Sequence, residues 1–276
     1  MAVTEGVTPA PPPGDLPPMD LAARVDRLRE RLEGAGCDAL VVTDLTNVRY
    51  LTGFTGSAGI VLVAPDDLLF VSDGRYRDQA AEELDAAGVP ARIEIVPANP
   101  DGVVADAARA AGVQRLGLES GSVTWAQQRR WQGELFADGT LVPTDGLVED
   151  LRLVKDPGEA VRIRAACAIA DAALAALRDR LLDGPTEAEF ALELDNEMRA
   201  LGAADVSFET IVASGPNGAK PHHRPGGRRV VEGDLVVIDF GALVDGYHSD
   251  MTRTVAVGDV GPDRERARRS GERQRR

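Results

Sequence analysis

Apolar residues recur along the first half of the chain with helical spacing in some segments and as short strand-like runs in others. Apolar positions between Leu21 and Leu32 fall on one stripe, which predicts a helix from Asp20 to the glycines that begin at Gly34. The further predicted helices are 77–87, 102–111 and 124–135, and the predicted strands are 39–43, 59–64, 68–72, 92–96 and 115–119. This alternation predicts an α/β domain whose sheet is covered by helices.

The second half of the chain predicts a separate unit that begins with two helices. Asp156 can cap an Ala-rich helix whose first turn contains Pro157, and this helix is expected to continue to Leu182. Thr186 begins a Thr-x-x-Glu capping box, which predicts another helix to Leu201. Strands are then expected at 206–213, 234–242 and 247–257.

Two aspartates fall on the last two of these strands. Asp245 and Gly246 form a two-residue turn signal between apolar runs. If the turn is centred on them, Asp239 lies opposite Thr252, and Asp250 lies on the same face one diagonal step away. Two carboxylates on neighbouring strands repel unless a cation lies between them. The spacing leaves two interpretations open: ligands of a pair of divalent ions such as Mn or Mg, or two solvent-facing aspartates.

A loop rich in turn residues, 214–226, precedes this hairpin. It contains His222 and His223, which are two of the three histidines in the chain. A loop histidine beside two carboxylates can move protons or contact a substrate. The alternative is an exposed histidine without a role.

The net charge and the cysteine content indicate which binding partners and which cellular compartment to expect. The net charge of −14 disfavours nucleic acid and anionic membrane as partners. Cys37 and Cys167 are isolated in the sequence, which predicts two reduced thiols in a cytoplasmic protein. No apolar run approaches membrane-spanning length, and the N-terminus lacks the pattern of a secretory signal.

These patterns divide the chain into four segments. Residues 1–18 are rich in proline and are predicted to be a disordered tail. Residues 19–146 and 147–258 are predicted to be two folded domains. Residues 259–276 are rich in arginine and are predicted to be a second disordered tail. Two other interpretations of this ending are an interaction tail and a sequence that is not native coding sequence.

Six motifs occur in order along the chain: NVRYLTGFTGS at 47–57, LRLVKDPGE at 151–159, IVASGPNGA at 211–219, PH at 221–222, GDLVVIDFGA at 233–242 and SDMTRT at 249–254. Together they resemble the "pita-bread" metallopeptidases of family M24, and most closely the branch of aminopeptidase P and prolidase. The resemblance implies an α/β (α+β) fold class. It places a creatinase-like N-terminal α/β domain at 19–146, followed by a partial pita-bread catalytic domain at 147–258.

The resemblance also implies a function. It indicates an Xaa-Pro metallopeptidase that hydrolyses the bond before proline through a dinuclear centre with a metal-bridging hydroxide. Asp239 and Asp250 would be ligands of two divalent metal ions, Mn or Co, and His222 would be a catalytic residue that contacts the substrate and assists proton transfer. The partner is then a proline-containing peptide, and a complete chain is expected to be a homodimer.

One departure from the family pattern shapes the expectation for this chain. The family's remaining ligands are a histidine and two glutamates downstream of the hairpin, and nothing after Gly258 resembles them. We therefore expect a catalytically incomplete, truncated portion of such an enzyme, with an exposed sheet edge and apolar face. Two alternatives are a non-catalytic binding or dimerisation relative and a creatinase-type hydrolase that does not use the metals. The presence of both aspartates argues against the second alternative.

Overall fold

A computed structural model describes residues 16–262, which form two compact units. The N-terminal unit is Pro18–Asp156, and the C-terminal unit starts at Pro157 and also includes Leu16 and Pro17. Most of the two predicted tails, 1–15 and 263–276, lies outside the described residues. No helix within residues 16–262 has the length and apolar character needed to cross a membrane.

The N-terminal unit is built on one six-stranded sheet. Its strands are β1 (Ala39–Val42), β2 (Ile60–Val63), β3 (Leu68–Ser72), β4 (Arg92–Ile95), β5 (Arg115–Glu119) and β6 (Thr140–Thr144). Their order is β4-β3-β2-β1-β5-β6. Strand β2 is antiparallel to β1 and β3, and the other neighbouring pairs are parallel.

Helices cover both faces of this sheet. They are α1 (Ala22–Leu32), α2 (Leu45–Thr52), α3 (Arg77–Ala86), α4 (Pro100–Ala110), α5 (Trp125–Arg130) and α6 (Leu147–Leu153), and a π-helical turn, Trp131–Leu135, follows α5. Leu40 and Phe70 belong to a core cluster with α1, α2, α3 and α6, whereas Val41 and Leu69 belong to a cluster with α4 and the π-helical turn. Because strand side chains alternate between these clusters, the unit is a three-layer α/β/α sandwich.

Two helices of this unit are not predicted by the hydrophobic pattern. Helix α2 begins after Asp44, whose carboxylate accepts hydrogen bonds from two backbone amides, and ends at Gly53 with φ 79°. Helix α6 buries Val148 and Leu151 in the N-terminal core. The structure therefore places this segment in the N-terminal unit, and the division between the units lies later than the predicted boundary after residue 146.

The C-terminal unit packs two helices against two three-stranded sheets. The helices are α7 (Pro157–Leu177) and α8 (Glu187–Ala200), and the strands are β7 (Asp205–Val206), β8 (Ile211–Ser214), β9 (Leu235–Phe240), β10 (Ala242–Val244), β11 (Tyr247–His248) and β12 (Met251–Ala256). The sheet orders are β11-β10-β7 and β12-β9-β8. The predicted capping box is confirmed, because Thr186 and Glu189 exchange hydrogen bonds at the start of α8. The single strand predicted at 206–213 is instead split between the two sheets.

One long hairpin contributes strands to both sheets. Its turn residues, Asp245 and Gly246, have φ of 46° and 82°, the signs required by a type I′ turn. Strands β10 and β11 pair on either side of this turn. The same register continues into β9 and β12, where Asp239 pairs with Thr252. The predicted turn and register are confirmed.

Gly241 allows the hairpin to pass from one sheet to the other. A Cβ atom at this position would lie 1.9 Å from the backbone oxygen of Ser249, so any other residue would force the backbone to shift. The close approach accompanies hydrogen bonds between Ala242 and Ser249, one from the Ser249 backbone amide to the Ala242 oxygen and one from the Ala242 amide to the Ser249 hydroxyl. A glycine is therefore required for steric reasons between the two aspartates of the hairpin.

Candidate functional site

Sheet β12-β9-β8 has one fully buried face and one partly exposed face. Val236, Ile238 and Phe240 of β9 are fully buried in the core with residues of α7 and α8. The intervening residues of β9 are half-buried and point to the opposite side. We call that side the Asp239 face. It consists of Leu235, Val237 and Asp239 with their lateral neighbours Ile211, Ala213, Thr252, Thr254 and Ala256.

Asp239 lies on the central strand of this sheet. Its neighbours in the ladder are Ile211 on β8 and Thr252 on β12. The Thr252 hydroxyl donates a hydrogen bond to Asp239 Oδ1 at 2.6 Å. Among residues 16–262, Asp239 has no lysine, arginine or histidine in an ion pair with it. A carboxylate on an inner strand is thus oriented by one hydroxyl and is not neutralised by a described cation.

Asp250 lies immediately before β12, on the same side of the hairpin as Asp239. Continuing the register by one position beyond the Met251–Phe240 pair places Asp250 opposite Gly241, which presents no side chain. Side-chain alternation along β12 puts Asp250 and Thr252 on one face. Asp250 is exposed and makes no hydrogen bond or ion pair with any residue in the described range. The structure therefore supports the predicted placement of both aspartates on one face of the hairpin.

The loop that carries His222 starts over the Asp239 face. It opens with a 3₁₀ turn, Gly215–Ala219, in which Gly218 lies so close to the sheet that a Cβ atom would be 3.4 Å from Val237 Cγ2. His222 is exposed and has φ 56°, in the left-handed region. Within the described part of the chain, the His222 ring makes no hydrogen bond or ion pair with Asp239 or Asp250.

Glu187, a residue that the sequence analysis does not single out, organises this loop. It is the first residue of α8, and its side chain is fully buried. Glu187 Oε1 accepts hydrogen bonds from the Ser214 amide at 2.8 Å, the Ser214 hydroxyl at 2.7 Å and the Asn217 side chain at 2.9 Å. Glu187 Oε2 accepts from His223 Nε2 at 2.8 Å and from the Gly226 amide at 3.4 Å. An acidic residue in a first helical turn can accept such bonds, but nothing in the sequence identifies these partners in advance.

The surrounding donors keep Glu187 ionised. Burial disfavours its charged form, but the hydrogen bonds from Asn217, Ser214 and His223 outweigh burial and lower the pKa of Glu187 from 4.5 to about 2. The start of α8 is also the end of a helix that favours negative charge. An ionised carboxylate can only accept hydrogen bonds, so Nε2 of His223 carries a proton.

The donor chemistry at Asp239 and Asp250 suits a divalent cation in part. Both side chains are carboxylates on an accessible face, and carboxylate oxygens are the hard donors that Mn and Mg prefer. Residues 16–262 contain no group of three or more His, Cys, Asp or Glu side chains that could hold a metal ion. The two aspartates therefore fit part of a metal site, and the described residues alone do not close it.

Each half of the sequence matches the model of a known protein family. Residues 24–154 match the creatinase/prolidase N-terminal domain, and residues 161–273 match metallopeptidase family M24. An uncharacterized peptidase of Bacillus subtilis, YqhT, is 38% identical over 237 residues, covering 85% of this chain and 65% of that protein. The Xaa-Pro dipeptidase of Pyrococcus horikoshii is 30% identical, covering 85% of this chain and 64% of that protein. The chain thus spans less than two thirds of the length of these two relatives.

Solved structures agree with this assignment. The Xaa-Pro dipeptidase of Bacillus anthracis is 35% identical with a TM-score of 0.82, over 89% of this chain and 68% of that one. The X-Pro aminopeptidase of Thermotoga maritima is 31% identical with a TM-score of 0.77, over 87% and 68% of the two chains. These likenesses confirm the expected fold, a creatinase-like N-terminal α/β domain followed by a portion of the pita-bread domain. The chain therefore belongs to metallopeptidase family M24, together with Xaa-Pro dipeptidases and aminopeptidases.

Proposed function

We propose that the chain is part of a metal-dependent Xaa-Pro peptidase, which hydrolyses the peptide bond before proline. The observation that carries the proposal is the placement of Asp239: a carboxylate on an inner strand, on a partly exposed face, oriented by Thr252 and paired with no described cation. Holding a carboxylate within a sheet is costly unless a cation or several donors compensate for it. Its relatives that are Xaa-Pro dipeptidases and aminopeptidases support this choice of reaction.

Each candidate residue has a distinct proposed role. Asp239 and Asp250 would hold divalent ions, and Thr252 keeps the Asp239 carboxylate oriented. Bound ions of this kind supply Lewis-acid polarisation of the peptide carbonyl and activation of water near neutral pH. His222, exposed on the loop that starts over the same face, would contact the substrate and transfer a proton. The choice of Mn or Co, a homodimeric assembly and a cytoplasmic location stay predictions.

We also propose that residues 16–262 contribute only part of the ligand set. Asp239 and Asp250 offer two oxygens each, whereas divalent ions of this class take about six oxygen ligands each. The remaining ligands then come from outside these residues. The sequence outside residues 16–262 contains no histidine, so we expect residues 1–276 alone to bind Mn²⁺ or Co²⁺ weakly and not to turn over substrate.

A calorimetric titration with Mn²⁺ tests the metal ligands. We expect weak binding to residues 1–276 that is lost in Asp239→Asn and in Asp250→Asn. Asp171→Asn is the matched control, because Asp171 is an exposed aspartate of α7 that pairs with Arg253. Tight binding of two ions per chain would contradict the proposed partial ligand set. Weak binding that survives both substitutions would contradict the assignment of the aspartates.

A chimaera tests the reaction. In it, the C-terminal segment of the Bacillus anthracis relative follows Gly258, and cleavage of Xaa-Pro dipeptides and longer peptides is measured. We expect turnover by the chimaera and none by residues 1–276. Asp250→Ala should abolish turnover, and His222→Ala should reduce it while metal content is retained. A chimaera that binds two ions and cleaves no Xaa-Pro peptide would contradict the proposal and favour the non-catalytic alternative.

A further inference from the structure

The loop between Ser214 and Gly226, which we call the His222 loop, depends on polar contacts for its conformation. Ser214 is buried at its start, but no residue from Gly215 to Gly226 is buried. The loop therefore contributes little apolar packing that could offset the conformational entropy lost when it is ordered. Whatever orients His222 must act through hydrogen bonds or ion pairs.

One carboxylate accepts hydrogen bonds at the start, in the 3₁₀ turn and at the end of the loop. Glu187 accepts hydrogen bonds from Ser214 at the start, from Asn217 in the 3₁₀ turn, and from His223 and Gly226 at the end. Two further contacts hold the ends alone: Arg228 donates a hydrogen bond to the Ser214 hydroxyl, and the Ala188 amide donates to the Gly226 carbonyl. Hydrogen bonds to a charged acceptor are stronger than those between neutral groups. Because the carboxylate is itself buried at the start of α8, it joins the loop to a packed helix.

The backbone at His222 indicates that neighbouring anchors hold it in place. His222 has φ 56°, a conformation that non-glycine residues adopt rarely and that persists when the surroundings impose it. The next residue, His223, is tied to Glu187 through its ring, and the His222 side chain itself is exposed. The constraint on His222 therefore acts through the backbone of the residue beside it.

We propose that Glu187 is a positioning residue, whose carboxylate clamps the His222 loop and thereby sets the direction of the His222 side chain. This inference rests on the proposed function only in the role given to His222. The clamp itself is a property of the folded chain and can be measured without substrate or metal.

Hydrogen exchange measured by mass spectrometry on the full chain tests the clamp. In Glu187→Gln, which removes the charge and turns one acceptor into a donor, amides of the His222 loop should exchange about tenfold faster or more. Amides of β9 and of the C-terminal half of α8 should keep their protection. The matched control is Glu193→Gln, a substitution on the same helix whose carboxylate pairs with Arg180. Unchanged exchange in the loop of a folded Glu187→Gln variant would overturn the proposal.

Histidine nuclear magnetic resonance tests the effect on His222 directly. The chain has three histidines, so the ring Cε1–H signals can be assigned by single substitutions of His222, His223 and His248. In Glu187→Gln the signals of His222 and His223 should both move, while that of His248 should not. Should Glu187→Gln fail to fold, Ser214→Ala, which removes one donor, should give a smaller change in the same two signals. A stationary His222 signal in the folded variant would overturn the positioning role.

Kinetics of the active chimaera separate this inference from the proposed function. Glu187→Gln should lower kcat about tenfold with little change in metal content. In a His222→Ala background the same substitution should lower kcat less than about twofold, because coupled residues are not additive. Additive losses would overturn the link between Glu187 and His222. A chimaera without peptidase activity would contradict the proposed function. The hydrogen-exchange and resonance measurements would still show whether Glu187 positions the His222 loop.

Discussion

The two units of the chain bury their sheets in different ways. In the N-terminal unit, every residue of β1 and β3 is buried, and adjacent residues such as Leu69 and Phe70 belong to separate cores on opposite faces. In the C-terminal unit, buried and half-buried residues alternate along β9, so Ile238 lies in the core and Val237 lies on the Asp239 face. A sheet that is buried on both faces has no side chains accessible to a ligand. A sheet that is buried on one face can present side chains to a ligand from the other.

The units also use a buried glutamate for different purposes. Glu119, at the end of β5, accepts hydrogen bonds from the Thr43 and Asp44 amides and from the Asn47 side chain, within a single strand-to-helix junction. Glu187 accepts from donors spread along a loop without buried side chains beyond Ser214. The first glutamate joins elements that are already packed. The second accepts hydrogen bonds from several points along a loop that has no buried side chain beyond Ser214, and that loop carries the candidate catalytic histidine.

The largest losses of stability are expected from alanine substitutions of neighbouring residues within one strand of each sheet. Leu69→Ala and Phe70→Ala should each lower the free energy of unfolding by about 2–5 kcal/mol, because each opens a cavity in a packed core. Ile238→Ala should cost a similar amount, but Val237→Ala should cost about 1 kcal/mol or less, because Val237 is partly exposed. Hydrogen exchange of peptides from each unit measures these changes in the free energy of unfolding. Equal costs at Val237 and Ile238 would show that the Asp239 face is covered in solution.

The pH dependence of stability tests how much the ionised Glu187 carboxylate contributes to the folded C-terminal unit. Its folded-state pKa is about 2 and its ordinary pKa is 4.5, so its contribution is complete above pH 4.5 and is lost as the pH falls toward 2. The depressed pKa corresponds to about 3 kcal/mol of stability. The free-energy difference between wild type and Glu187→Gln should therefore shrink by about that amount across this window. The contribution of Asp195, whose pKa is raised by burial, has the opposite sign and cancels because both proteins retain it.

Denaturant unfolding at a series of pH values measures this difference. Glu193→Gln on the same helix serves as the control, and its difference from wild type should vary much less over the same range. A pH-independent difference for Glu187→Gln would contradict the lowered pKa and the hydrogen bonds that cause it.

A smaller effect is expected where the hairpin changes sheet. Gly241→Ala should destabilise the C-terminal unit by about 1–3 kcal/mol, because the added Cβ atom would collide with the Ser249 backbone. Gly227→Ala is the control in the same unit, since nothing lies within 4 Å of a Cβ atom at Gly227 and its φ is not positive. Thermal unfolding with hydrogen exchange at β9 and β12 separates the two variants. Equal stabilities would contradict the close packing between the aspartates.

Local pattern was sufficient for much of the candidate site. Asp245-Gly246 predicts a tight turn because both residues tolerate positive φ, and the turn then determines that Asp239 faces Thr252. The predicted capping box at Thr186 forms for the same kind of local reason. The role of Glu187 could not be predicted, because its partners lie 27 to 39 residues away along the chain. Nothing in the spacing of those residues indicates that they meet.

The sequence by itself determined most of the helices and strands, the register of the hairpin and, through its ordered motifs, membership of the M24 family. Each of these depends on interactions between residues close in the chain or on motifs read directly. Only the tertiary structure decided that Leu147–Leu153 belongs to the N-terminal unit, that the strand predicted at 206–213 divides between two sheets, and that Glu187 accepts hydrogen bonds from the His222 loop. Those outcomes depend on which apolar faces pack together and which residues, distant in the sequence, form hydrogen bonds to buried charges in the folded chain.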